Sequence, residues 1–243
     1  REIGADIEYL SEEGFPPLRI KGCILDKHRI VTINNPQSTQ FVSALLLIGA
    51  NVQTDSTSPY ITLTRTLIQH YTTLHQSTQH YTIERDWSSA AFWYEYVALH
   101  GGEIELPGLY KDSLQGDKVV VDIFAYLGVH TKYNDEGIVI YSSPLHSTPY
   151  TLHQDFASCP DLYPAVALTC EHLGVTLHAT GVESLPLKES DRLRAVREHR
   201  TEHDHRMAMA LLIAGYEVDD TACINKSYPQ FFEQWKTIVR SHA

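Results

Sequence analysis

Apolar residues along the chain fall into two spacings that take turns. Segments with apolar residues at helical spacing alternate with short β-like runs, which predicts an α/β chain. One class of helix opens on a small or charged polar residue and turns Ala/Leu-rich within a turn. It is found at Ser38 ("STQFVSALLLIGA"), Ser88 ("SSAAFWYEYVALHGG"), Asp161 ("DLYPAVALTCEHLG") and Asp204 ("DHRMAMALLIAG"). Each closes near a Gly that suits a C-cap and then enters a run such as "GGEIELPGL" or "GVTLHATGV". A second helix class follows, starting near 59, 113, 189 and 228. The order recurs through the chain with little identity between copies, as in diverged repeats.

The copies differ in what lies between. One holds a hairpin pattern, "HTKYNDEGIVIY", and then a strand, "TPYTLHQDF". The equivalent places elsewhere hold only "HYTIERDW" and "REHRTEHDHR". On this pattern roughly 20 to 30 residues are expected to be absent near 71–80 and again near 197–203. A true loss of a strand at either place would leave sheet edges and apolar helix faces uncovered.

Length and composition narrow the class. The chain has 243 residues and a formal net charge of −11, which argues against nucleic acid or an anionic membrane as partner. The longest apolar run, around "FVSALLLIGA", falls far short of the roughly 20 residues of a membrane span. The opening "REIGADIEYL" is neither a signal nor a transit peptide and has no initiator Met. Cys23, Cys159, Cys170 and Cys223 are scattered and suit the reduced thiols of a cytoplasmic protein.

In so acidic a chain an anionic ligand needs local cations or helix N-termini, whose free N–H groups attract anions. Ser38, Thr39 and Gln40 offer hydroxyls and an amide at such a start, although plain capping explains them equally. Lys188, Glu189, Asp191 and Arg192 form a mixed cluster that would also suit a capping box with an exposed salt bridge. Arg206, beside His205, opens an apolar helix, and Lys226 is expected just before another. Cations there oppose the helix dipole, so stability is not what they serve. The ligand expected is a small molecule with several negative charges, with Glu189 and Asp161 as proton carriers. His199, His203, Asp204 and His205 also offer zinc-type donors, a weaker alternative.

"LKESDR" and "DHRMAMA", supported by "STQFVSALLL", "SPYI", "DWSSAAFW", "SLQGD", "CPDLYPA" and "NKSYPQFFEQW", strongly resemble the 5-enolpyruvylshikimate-3-phosphate synthases, or 3-phosphoshikimate 1-carboxyvinyltransferases. The resemblance runs the length of the chain in the family's order. It implies a two-domain inside-out α/β barrel of repeated strand–helix units, here incomplete. Residues 1–83 would be the later part of the shikimate-3-phosphate domain and 84–243 the phosphoenolpyruvate domain. The reaction implied moves the enolpyruvyl group of phosphoenolpyruvate to the 5-hydroxyl of shikimate 3-phosphate with release of phosphate, on the route to chorismate and aromatic amino acids.

By resemblance, Ser38, Thr39 and Gln40 bind the shikimate phosphate, with Thr57 (often Ser in the family) and Tyr60 in the same pocket. Asp161 is the general base, Lys188 assists at the shikimate hydroxyl, and Glu189 shuttles a proton at the methylene carbon. Arg192, Arg206 and Lys226 hold the phosphoenolpyruvate anions, with His205 nearby. A monomeric cytoplasmic enzyme without metal or organic cofactor is implied. The family's Lys-Ser-x-Thr-x-Arg-like stretch, Gly-Asn-Ala-Gly-Thr-like loop and a further Arg have no counterpart here. The alternative is therefore a catalytically silent fragment that binds shikimate 3-phosphate or docks with a partner half.

Overall fold

A computed structural model describes residues 3–74, 82–143 and 151–242, with the backbone alone at 73, 74 and 239–242. The chain divides between Tyr81 and Thr82 into two compact units.

The first unit opens with an antiparallel pair, β1 (Asp6–Tyr9) and β2 (Leu18–Lys21). Lys21 faces Asp6 across it at 2.7 Å and Arg19 faces Glu8 at 2.8 Å, exposed pairs that set register more than stability. Next come β3 (Ile30–Ile33), α1 (Thr39–Leu47), β4 (Asn51–Thr54) and α2 (Pro59–Leu74). β3 and β4 pair in parallel, so α1 and α2 both begin at the C-terminal end of the pair. Val42, Val52 and Ile61 form a small core. On α1, Phe41 and Leu47 stay 57% and 70% exposed.

The second unit is built from the inside out. Its centre is α3 (Trp87–His100), α5 (Tyr163–Leu173) and α7 (His205–Ile213). Ten of the fourteen residues of α3 are buried, as are seven of nine in α7. Helices apolar on all sides belong in a core, not on a surface. Around them lie α4 (Val120–Tyr126), α6 (Arg192–Glu198), α8 (Phe231–His242) and two sheets. One sheet is antiparallel in the order β5 (Glu103–Pro107), β7 (Gly137–Ser142), β6 (Val129–Tyr133). The other is a parallel pair, β8 (Thr151–Asp155) and β9 (Thr176–Thr180). Trp93, Tyr94, Phe124 and Phe231 are almost fully buried, each contributing on the order of 2 kcal/mol through apolar burial.

Local chemistry accounts for the boundaries. The expected hairpin is β6–β7, closed where the Asn134 side chain accepts from the N–H groups of Glu136 and Gly137. Helices expected near 113, 189 and 228 begin later. A 3-10 turn (Gly116–Val119) precedes α4, and Asp191 caps α6 by accepting from Arg194 N at 3.2 Å. Lys226 was expected just before a helix. Instead it ends a 3-10 turn (Ala222–Lys226) well ahead of α8, because the Pro229 ring cannot continue the preceding turn.

Of the two places where residues were expected to be absent, 75–81 lies outside the described residues. At the other, α6 passes to α7 through residues 199–204 with no strand between. His199, Glu202 and His203 all take positive φ there, at 49°, 48° and 61°. So many non-glycine residues in the left-handed region make this a strained join.

Candidate active site

In the first unit the candidate residues sit at the starts of α1 and α2. Ser38 caps α1, its Oγ accepting from Gln40 N at 3.3 Å. Thr39 is half-buried and Gln40 exposed. Thr57 is exposed in the loop before α2, and Tyr60 is half-buried in its first turn. Asn35 N donates to Asp55 Oδ1 at 2.8 Å, tying the two loops together. The N-terminal ends of two helices thus lie beyond one sheet end, the usual place for an anionic ligand in α/β units.

The second unit repeats the plan with charge added. Asp161 lies in a 3-10 turn (Pro160–Leu162) after β8, and Lys188 to Arg192 follow β9. The parallel pairing delivers both to the same end of the sheet. Gly181, just past β9, has φ +65°, and a Cβ there would collide with Asp155 Oδ1 and Ala157 N. Only glycine lets β9 turn so closely against β8.

Three cations converge on Asp161. Arg192 Nη1 is 2.7 Å from Oδ1, Arg206 Nη2 is 3.1 Å from Oδ2, and Lys188 Nζ is 3.4 Å from Oδ1. Burial opposes ionisation of Asp161, but Arg206, Lys188 and Arg192 outweigh it and hold the carboxyl well below the usual range. Glu189 lies between Lys226 Nζ, 2.8 Å from Oε1, and Arg192 Nη2, 3.1 Å from Oε2. Burial again acts upward, and these cations bring Glu189 down to about 2. The KESDR cluster is therefore not the exposed salt bridge that its sequence also allowed: Arg192 is 1% exposed. His205 is 4% exposed, and burial together with Arg206 lowers its pKa.

Ser190, Asp117 and Ser88 in this neighbourhood were not singled out as functional from sequence, and Asp204 only as a zinc-type donor. Asp204, completely buried, meets Arg192 and caps α7. Ser190 donates to it at 3.2 Å. Asp117, in "SLQGD", is buried and accepts a short hydrogen bond from Ser88. Burial raises Asp117 to about 6, against the lowering effect of Ser88. A charged residue ahead of an apolar helix was the available signal for Asp204. The zinc-type alternative dissolves: His203 pairs with Asp220 and His199 stacks on Tyr216. Among the described residues no three such donors gather. The cavity between α3, β5 and α8, lined by Arg85, Trp93 and Tyr228, contains none of the candidate residues.

The family described as EPSP synthase (3-phosphoshikimate 1-carboxyvinyltransferase) matches residues 1–199 and 196–235. The chain belongs to the EPSP synthase family. A 3-phosphoshikimate 1-carboxyvinyltransferase of Bacteroides fragilis is 33% identical over 293 residues, covering 96% of this chain and 71% of the relative. One of Colwellia psychrerythraea is 26% identical over 291 residues, covering 96% and 67%. The EPSP synthase structure from Acinetobacter baumannii superposes with a TM-score of 0.66 at 17% identity, over 95% of this chain and 67% of that one. The α/β architecture is thus that of EPSP synthase. The alignment to the Bacteroides relative, at 293 positions, is longer than the 243-residue chain itself, so stretches of the relative face no residue here. The two matched pieces of the family meet at 196–199, where α6 runs into the strained join.

Proposed function

We infer that the protein transfers the enolpyruvyl group of phosphoenolpyruvate to the 5-hydroxyl of shikimate 3-phosphate and releases phosphate. The observation that carries the roles of individual residues is the pairing of Asp161 and Glu189 with four cations from three segments of the chain. In the structure these cations neutralise the two carboxylates. The phosphate and carboxylate of phosphoenolpyruvate are the anions suited to exchange with them.

That exchange sets the proton chemistry. Once ligand anions displace the two carboxylates from Arg192, Arg206 and Lys226, Asp161 and Glu189 lose charges that depress their pKa values and become competent to carry protons. Glu189 delivers a proton to the methylene carbon of phosphoenolpyruvate, leaving positive charge at its neighbour. The 5-hydroxyl oxygen adds there while Asp161 takes its proton, with Lys188 beside it. The tetrahedral adduct then expels phosphate, which carries away the proton held by Asp161, and Glu189 takes back a proton from the methyl carbon as the double bond re-forms. The fixed cations stabilise the departing charge.

The division of labour follows the two units. Ser38, Thr39, Gln40, Thr57 and Tyr60 on residues 1–83 hold the shikimate phosphate, and residues 84–243 hold phosphoenolpyruvate. The enzyme works as a cytoplasmic monomer on these small molecules, without nucleic acid, membrane, metal or organic cofactor. No helix among the described residues is long and apolar enough to cross a membrane.

The test is phosphate release that requires both substrates, compared between wild type and Asp161→Asn. Loss of the base should lower kcat by about 10²–10⁴ while phosphoenolpyruvate and shikimate 3-phosphate still bind. Equal turnover in the two proteins would refute the assignment of Asp161.

A further inference from the structure

We propose that Asp204 is the positioning residue of the phosphoenolpyruvate site, fixing Arg192 and Arg206 together while touching no substrate itself. The inference rests on the function proposed above and deepens it.

Arg192 meets three carboxylates, and burial separates them into two kinds. The Arg192 side chain is 1% exposed and that of Asp204 0%, whereas those of Asp161 and Glu189 are 19% and 32% exposed. An ion pair sealed from solvent has no water to replace either partner, so breaking it leaves a buried charge unpaired. The Arg192–Asp204 pair is the permanent one. The pairs to Asp161 and Glu189 lie on the open side, where a ligand anion can displace them.

The geometry is directional. Arg192 Nε is 2.8 Å from Asp204 Oδ2, and Arg192 Nη2 is 3.4 Å from Oδ1. This side-on grip fixes the plane of the guanidinium. Ser190 Oγ donates to the same Oδ2 at 3.2 Å and holds the carboxylate in turn. The remaining Arg192 bonds, Nη1 to Asp161 and Nη2 to Glu189, lie along the exposed edge. A guanidinium has five N–H groups, and the second Nη1 proton has no partner among the described residues.

The same carboxylate controls the second cation. Asp204 Oδ1 accepts from Arg206 N at 2.9 Å as the N-cap of α7. The Arg206 backbone, and so the root of its side chain, is set by the atom group that orients Arg192. A cap alone calls equally for Ser, Thr or Asn. Only a carboxylate both caps the helix and neutralises a buried guanidinium.

Asp204→Asn separates these duties, because Asn keeps the shape and caps a helix as well as Asp. The full chain carrying this change should fold with the circular dichroism spectrum of wild type. Its KM for phosphoenolpyruvate should rise about 100-fold, as for a misplaced binding group, with the KM for shikimate 3-phosphate nearly unchanged. Ser190→Ala, which removes only the hydroxyl behind Asp204, should shift the same constant in the same direction by less. A folded Asp204→Asn with wild-type constants, or with both KM values raised alike, would overturn the positioning role. If Asp204→Asn fails to fold, Ser190→Ala decides alone: a wild-type KM for phosphoenolpyruvate overturns the proposal, and a selective rise supports it. Wild-type protein that binds neither substrate and releases no phosphate overturns the reading beneath it as well, whereas active wild type with unaffected variants overturns the positioning role only.

Discussion

Glu95 lies midway along α3 with no exposed surface, and neither carboxylate oxygen has a hydrogen-bond partner among the described residues. Burial alone raises its pKa well above the 4.5 of a free glutamate. In the unfolded chain this group ionises near 4.5, so above that pH the unfolded state is favoured by an ionisation that the folded state resists. The penalty is absent below about pH 4.5. It grows by about 1.4 kcal/mol per pH unit until the folded carboxyl ionises as well. Even neutral, a buried polar group without a partner costs about 1–3 kcal/mol.

Two substitutions divide these costs. Glu95→Gln keeps the shape and a polar end but cannot ionise, so it removes only the pH-dependent part. Glu95→Leu removes both parts at similar volume in a residue that favours helix. All three tryptophans, Trp87, Trp93 and Trp235, lie in the second unit, so their fluorescence follows the unfolding of that unit. At pH 8 Glu95→Leu should gain at least about 2 kcal/mol, which in a chain of this size raises Tm by about 4–8 °C. The Gln gain should shrink towards zero at pH 5 while the Leu gain persists. A difference between Gln and wild type that is equal at pH 5 and pH 8, or a Leu variant melting below wild type, would refute the reasoning.

Asp117 offers a second case of the same sign: its folded pKa of about 6 exceeds its unfolded 3.8, so its contribution is full below 3.8 and lost as pH rises through 6. Asp117→Asn should therefore gain up to about 3 kcal/mol above pH 6 and nothing below pH 4, read as urea midpoints at the two extremes; a gain equal at both would count against it. Ser38→Ala should remove the α1 cap at a cost of about 1 kcal/mol. Hydrogen exchange of α1 amides should report it as faster exchange confined to the first unit, with weaker binding of shikimate 3-phosphate. Unchanged exchange would show that the cap does not hold α1.

Two helix starts were legible because capping is local: Ser38 and Asp204 each cap the helix expected there, whereas Asp86 and not Ser88 caps α3, and α5 begins after Asp161 with no side-chain cap. The hairpin at Asn134–Gly137 was legible for the same reason. Burial of charge was not. A Lys-Glu-Ser-Asp-Arg cluster has one local reading whether it is solvated or paired, and what decides is a partner brought in by the chain's path. Asp204 reaches Arg192 only because residues 199–204 fold back between α6 and α7. Glu95 is the converse: nothing local shows that its helix is enclosed on every side. Both escape a reading that asks which face a residue occupies in a unit whose helices lie inside. There the apolar stripe no longer marks a face, and a charge buried on or beside such a helix is either a member of the site or a cost to the fold. Arg192, Asp204 and Arg206 answer to the first description and Glu95 to the second, which is why substitution is expected to damage the one group and stabilise the other.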